Sequence, residues 1–381
     1  MDPITLLADL VSVNSINPSL VPGAPGEKEA AEVVRRALTF AGLDVVLQEV
    51  CPGRANVVGI LEGRNPGPTL MFCGHLDTVG VEGMVNPFSP RIENGRLYGR
   101  GAQDMKGGVA AMIAAAADLA SNWKSGRLIV AAVIDEEFGS LGAEALVKKW
   151  SADAAIITEP TDLAVAIAHR GYAWLEIATK GRAAHGSRPK EGIDAILHMG
   201  RVLNELEDLD RSLQAKIPDP VQGVASLHAS RIIGGSTELS TYPDRCTLQM
   251  ERRTLTAESD QVITDEIEAI LTKHRDLDPH FHADVRLLAS RPAYKLDASH
   301  RLPQTLLRAL AEHGKPGAPI GMSFWTDAAI LGSAGIPTVL FGPGGAGLHS
   351  VVEYVNLDEV IICRDVLVAT ARSYMEKDII P

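Results

Sequence analysis

The chain has 381 residues, enough for two domains, and its 46% hydrophobic and 22% charged fractions suit a globular protein. A formal net charge of −12 excludes general nucleic-acid binding, which needs a basic face. The cysteines Cys51, Cys73, Cys246 and Cys363 form no C-x-x-C pair, so neither a disulfide framework nor a thiolate zinc site is indicated.

The N-terminus, Met1-Asp2-Pro3-Ile4, lacks the basic start and long apolar stretch of a signal peptide. The alanine-rich segment from Val109 to Ala120 is too short to span a bilayer. A cytoplasmic enzyme with no membrane partner is expected. A loop with Pro18, Pro22, Gly23, Pro25 and Gly26 precedes a predicted amphipathic helix from about Glu27 to Ala41. There Ala30, Val33, Val34, Ala37, Leu38 and Ala41 recur at helical spacing, and Gly42 suits the stop. Strand-like and helix-like segments then alternate through Glu159, as a mostly parallel α/β sheet flanked by helices requires.

After Gly171 the pattern changes. A strand from Tyr172 to Thr179 leads into a helix from about Gly192 to Leu209. Strands near Ser226 to Ile233 and Arg245 to Glu251 follow, then a helix from about Ser259 to His274 and a strand from His280 to Leu288. This order predicts an inserted α+β domain over 172–288, dividing a catalytic domain into parts 1–171 and 289–381. The second part carries a helix from Pro303 to His313 and a strand before Gly342.

Polar residues of one chemical kind stand where apolar runs end. His75 and Asp77 follow Leu70 to Gly74, Glu136 and Glu137 follow Leu128 to Ile134, and Glu159 follows Ala154 to Ile157. His349 lies in a glycine-rich loop after Thr338 to Phe341. Ligands of open α/β sheets gather beyond the carboxyl ends of the strands. Several negative charges brought together there need cations to neutralise them. The loop Gly99 to Gly108 resembles a phosphate cradle only partly. Lys106 is followed by Gly, and Asp104 occupies the place of the third glycine, a poor neighbour for phosphate but suited to a bridge between two cations. On an extended segment Asp77 shares a side with His75, so it can accept that imidazole's second N–H. Ser121-x-x-Lys124 and Ser187-x-x-Lys190 match a serine acyl-enzyme pattern, but without K-T-G or G-x-S-x-G they do not support serine catalysis.

Six segments together carry a specific resemblance: G-H-L-D-T-V at 74–79, G-R-G-A-Q-D-M-K-G-G at 99–108, D-E-E at 135–137, T-E-P at 158–160, K-G-R-A-A-H-G-S-R-P at 180–189 and G-L-H-S-V-V-E-Y-V at 347–355. In these the chain resembles the aminoacylase, acetylornithine deacetylase and succinyl-diaminopimelate desuccinylase family of dizinc metallohydrolases. The resemblance implies a zinc-peptidase-like catalytic domain with an inserted lid and dimerisation domain, and two Zn2+ per subunit, with Co2+ or Mn2+ as substitutes. It makes Asp104 the bridging ligand, with His75 and Glu159 on one ion and Glu137 and His349 on the other. Glu136 becomes the general base, Asp77 the partner of His75, and the Asp104–Met105 peptide cis. His185 matches a lid histidine that reaches the neighbouring subunit's site, which implies a homodimer formed through the lid. Arg253 matches a substrate-carboxylate arginine, although strand register leaves Arg252 as the alternative. Ser240 stands where relatives usually carry Asn.

The implied activity is hydrolysis of the amide bond of a small N-acyl amino acid, as an acetylornithine deacetylase or succinyl-diaminopimelate desuccinylase would perform. A dipeptidase or glutamate-type carboxypeptidase would need the same centre. A catalytically silent zinc-binding protein is the alternative from another class, and Glu136 beside a full ligand set speaks against it.

Overall fold

A computed structural model describes residues 1–376. The chain divides into two compact units: Met1–Ile167, Leu296–Ile320 and Thr326 onward form the larger, and Ala168–Lys295 with Gly321–Trp325 the smaller.

In the larger unit the strands Ser125–Val133, Asn65–His75, Ala154–Ile157 and Thr338–Leu340 lie side by side and parallel. They are the apolar runs, and from Leu128 to Val133 and from Leu70 to His75 every residue is buried. Strands covered on both faces read as continuous rather than alternating hydrophobic segments. The edges differ from a mostly parallel expectation. Asp44–Cys51 and Arg54–Glu62 form an antiparallel hairpin, the latter pairing antiparallel with Ser125–Val133. Leu340 pairs antiparallel with Ala166 at the other side. The sheet is therefore mixed, because Pro52 and Gly53 (φ 77°) reverse the chain within two residues, a length that only antiparallel neighbours allow.

Helices cover this sheet. Pro3–Val11 is capped by the Asp2 carboxylate, which accepts from the backbone N–H groups of Ile4 and Thr5. Lys28–Phe40 buries Ala30, Ala31, Val34 and Leu38, the stripe read from the sequence. Gly107–Ala120, buried over most of its circumference, packs against Leu357–Met375. Its start lies so close to the strand end before Glu159 that a Cβ on Gly108 would meet the Thr158 carbonyl oxygen at 1.9 Å. Among the described residues no helix is long and apolar enough to cross a membrane.

The smaller unit is an antiparallel sheet in the order Ser226–Gly234, Arg245–Thr254, Gly171–Lys180, His282–Arg291. Alternate residues of Gly171–Lys180 are buried, and Leu175 and Ile177 join Leu248 and Met250 in a core with Met199, Val202, Ile263 and Ile267. The last four come from the helices Ala195–Gln214 and Asp260–Leu277, capped by Asp194 and Ser259. Burying side chains of this kind stabilises by about 1.5–3 kcal/mol each before entropy is counted. Ser226–Gly234 is an edge strand, and Ile232 and Ile233 on it are exposed.

Candidate metal centre

Five segments of the larger unit end at one place. Asn65–His75 delivers His75, the loop before Gly107–Ala120 delivers Asp104, and Ser125–Val133 runs out into Glu136 and Glu137. Ala154–Ile157 leads to Glu159, and the loop after Thr338–Leu340 carries His349. One oxygen of Asp104 lies 3.0 Å from His75 Nε2, and the other lies 3.3 Å from His349 Nε2. His349 Nε2 is also 3.1 Å from a Glu137 oxygen. Ligand atoms of His75, Asp104 and Glu159 all lie within 4.8 Å of one another, and so do those of Asp104, Glu137 and His349. Asp104 is common to both groups. The Asp104–Met105 peptide is cis.

His349 adopts φ 57°, a left-handed conformation uncommon outside glycine and recurrent at functional sites. Its loop is closed by the Ser350 N–H donating to the Gly347 carbonyl at 2.9 Å.

Asp77 supports the cluster differently from the arrangement its spacing suggests. His75 Nδ1 lies 3.0 Å from the Asp77 backbone carbonyl and 3.6 Å from its carboxylate. The carboxylate is occupied otherwise, accepting the N–H groups of Glu136 and Glu137 at 3.1 Å each and Asn17 Nδ2 at 2.9 Å. Asp77 thus fixes the ring tautomer through its carbonyl and the turn holding both glutamates through its side chain. Asp135, at φ 67°, engages a different set of partners. One of its oxygens accepts from Asn17, Ser19 and Arg54, and Arg54 also donates to Glu27. Neither Asn17 nor the Glu27–Arg54–Asp135 group was legible in the sequence, because 81 positions separate Arg54 from Asp135 and no short motif contains them.

The centre carries more negative charge than its two imidazoles can offset. Burial and neighbouring carboxylates push Glu136 well above the usual range, Glu159 up to about 8 and Glu137 up to about 6. For His75, burial favours the neutral ring, but Asp104 and Asp77 outweigh it and raise the pKa well above the ordinary value. Hydrogen bonds with Asp104 and Glu137 raise His349 to about 10. Asp104 is lowered: its imidazole partners overcome the effect of burial. Glu137 Oε1 is buried with no hydrogen-bond partner. Carboxylate and imidazole donors, clustered, short of positive charge and holding one unengaged buried oxygen, fit divalent cations such as zinc, cobalt or manganese.

The other residues singled out from the sequence belong to the smaller unit. His185 is exposed, its Nδ1 2.8 Å from Ser187 Oγ. Ser240 is exposed nearby, its carbonyl accepting from Gly186 N–H. Arg252 pairs with Ala173 across the sheet and points into the core, 1% exposed, bound to Glu258 and Glu266. Arg253 faces the opposite side, over the Tyr172 ring. Glu251 braces this face by accepting from Arg253 Nε at 2.7 Å and Trp174 Nε1 at 2.8 Å.

Residues 71–373 match the model of peptidase family M20/M25/M40. The chain is 29% identical to acetylornithine deacetylase from Myxococcus xanthus, over 95% of this chain and 94% of that protein. It is 26% identical to a probable succinyl-diaminopimelate desuccinylase from Staphylococcus epidermidis, over 99% and 98%. Among solved structures, aminopeptidase PepT from Bacillus cereus superposes with a TM-score of 0.81 at 21% identity, covering 98% of both chains. The chain belongs to peptidase family M20/M25/M40 and is a metal-dependent amidohydrolase.

Proposed function

We propose that this member of the family hydrolyses the amide bond of a small N-acyl amino acid at a dinuclear zinc centre. The observation that carries the reading is Asp104, with one carboxylate oxygen facing His75 and the other facing His349. His75, Asp104 and Glu159 would hold one ion and Asp104, Glu137 and His349 the other. When bound, such ions would supply Lewis-acid polarisation of a carbonyl and would lower the pKa of a water held there.

The protein's own groups do the rest. Glu136, whose backbone is pinned by Asp77 and whose carboxylate no donor among the described residues engages, takes the proton of the attacking water and returns it to the leaving amine. Arg253 presents its terminal nitrogens to the substrate carboxylate, held in aim by Glu251. His185 stabilises the developing oxyanion from a second subunit. The exposed edge strand with Ile232 and Ile233, and Leu197 exposed on the adjoining helix, support a homodimer through the smaller unit.

A panel of acetylornithine, succinyl-diaminopimelate, other acetyl-amino acids and dipeptides, assayed with and without added zinc, cobalt and manganese, tests the substrate class. Metal-dependent cleavage of an acyl-amino acid is expected, whereas cleavage confined to dipeptides would make the enzyme a peptidase. Glu136→Ala should retain metal and lose about 10²–10⁴-fold in kcat; near-normal turnover removes Glu136 as the base. Light scattering that finds a monomer removes the role of His185 in a partner's site.

A further inference from the structure

Glu353 lies four residues beyond His349, and its side chain is 0% exposed. Its carboxylate collects four donors, all from the loop that carries Asp104. Oε2 accepts from Arg100 Nη1 at 2.6 Å and Gly101 N–H at 3.0 Å, while Oε1 accepts from Gln103 N–H at 2.9 Å and Asp104 N–H at 3.1 Å. The backbone joins the same seam, Gly99 N–H donating to the Glu353 carbonyl at 3.2 Å. Arg100 extends it, donating to the carbonyls of Ser350 at 2.9 Å and Gly80 at 3.1 Å. One buried carboxylate therefore ties the backbone of Asp104 to the loop that holds His349.

We propose that Glu353 is a positioning residue for the metal centre, setting the distance between Asp104 and His349 without being a ligand itself. The inference rests on the dinuclear reading above. A buried carboxylate is costly unless its lone pairs are filled, and here all the donors come from one short loop. That loop is therefore held in one arrangement relative to His349. Both oxygens must accept, so an amide at this position turns one end into a donor facing N–H groups. Asp104 belongs to both groups of ligands but His349 to one, so disturbance of the link between them should fall mainly on the group formed by Asp104, Glu137 and His349.

Cobalt titrated into metal-depleted protein tests this, read by affinity and by the visible absorption band. Glu353→Gln is expected to weaken one of the two bound cobalt ions by about 10–100-fold and to shift the band. It should lower kcat while KM stays within about twofold, and Glu353→Asp should recover part of each effect. Cobalt affinity and band identical to wild type in Glu353→Gln overturn the proposal, whatever happens to the melting temperature. If Glu353→Gln does not fold, Arg100→Lys decides. It keeps the charge and breaks the link to Ser350, so it should weaken the same ion by a smaller factor, and unchanged affinity and band overturn the proposal. A wild-type chain that takes up no cobalt defeats the dinuclear reading itself, and this proposal with it.

Discussion

The tripeptide Asp135-Glu136-Glu137 divides its side chains between two kinds of buried surroundings. Asp135 joins Glu27 around Arg54, a cation supplied by the chain, with Asn17 and Ser19 filling the same oxygen. One residue on, Glu136 and Glu137 face Asp104 and Glu159, and among the described residues no lysine or arginine pairs with any of the four. Charge balanced from within stabilises a fold. Charge left unbalanced in the same unit marks where the balance must come from outside.

The sharpest way to break this comparison is to neutralise one member of each group. Asp104→Asn should cut turnover by at least about 10³-fold, since several kcal/mol of charge stabilisation depend on the bound ions. In metal-free protein Glu159→Gln, at a carboxylate that burial pushes up to about 8, should leave the melting temperature unchanged or raise it, because it spares the fold an ionised group there. Calorimetry of the metal-free variant checks that sign. Arg54→Ala should do the opposite, destabilising by about 3–5 kcal/mol through two buried carboxylates left without their cation. Equal destabilisation by Glu159→Gln and Arg54→Ala in chemical unfolding would remove the distinction.

A third case is a buried group kept neutral. His169 is 0% exposed, donates from Nδ1 to the Arg170 carbonyl at 2.9 Å, and leaves Nε2 without a partner beneath Tyr294 and Trp325. Burial lowers its pKa to about 4. The unfolded chain takes up the proton as pH falls through its ordinary value of 6.5, while the folded chain resists until about pH 4. The contribution is therefore complete above pH 6.5 and is lost progressively below it, up to about 3 kcal/mol. Subtracting the unfolding free energies of His169→Phe from those of wild type between these limits should isolate that slope. The smallest effect concerns Arg253, a cation whose terminal nitrogens meet no acceptor among the described residues. Arg253→Lys should raise KM about tenfold through loss of a bidentate grip, with the melting temperature unmoved. An unchanged KM would deny Arg253 a part in binding.

Much of this was legible in the sequence for a local reason. Runs such as Leu70 to Gly74 and Leu128 to Ile134 could only be buried strands, and the polar residues after them had to emerge at strand ends. The stripe from Ala30 to Ala41 fixed its helix in the same way. What escaped depends on partners far apart in the chain. The edge position of Asp44–Cys51 shows only when its half-exposed pattern is seen beside the more buried Arg54–Glu62. A small sheet joining Arg96–Tyr98 to Tyr354–Asn356 rests on strands of three residues, too short for any periodicity. Whether Arg252 or Arg253 faces outward waited on the pairing of Arg252 with Ala173. The acceptor for His75 could not be chosen until Asn17 was known to compete for the Asp77 side chain.

The two histidines of the centre differ in exposure, 1% for the His75 side chain and 54% for His349. Deuterium exchange at the imidazole C2 carbon, which proceeds through the protonated ring, would find one imidazole sealed and the other at the door. Footprinting of His349 by mass spectrometry could therefore follow how full the centre is, with no substrate in the tube.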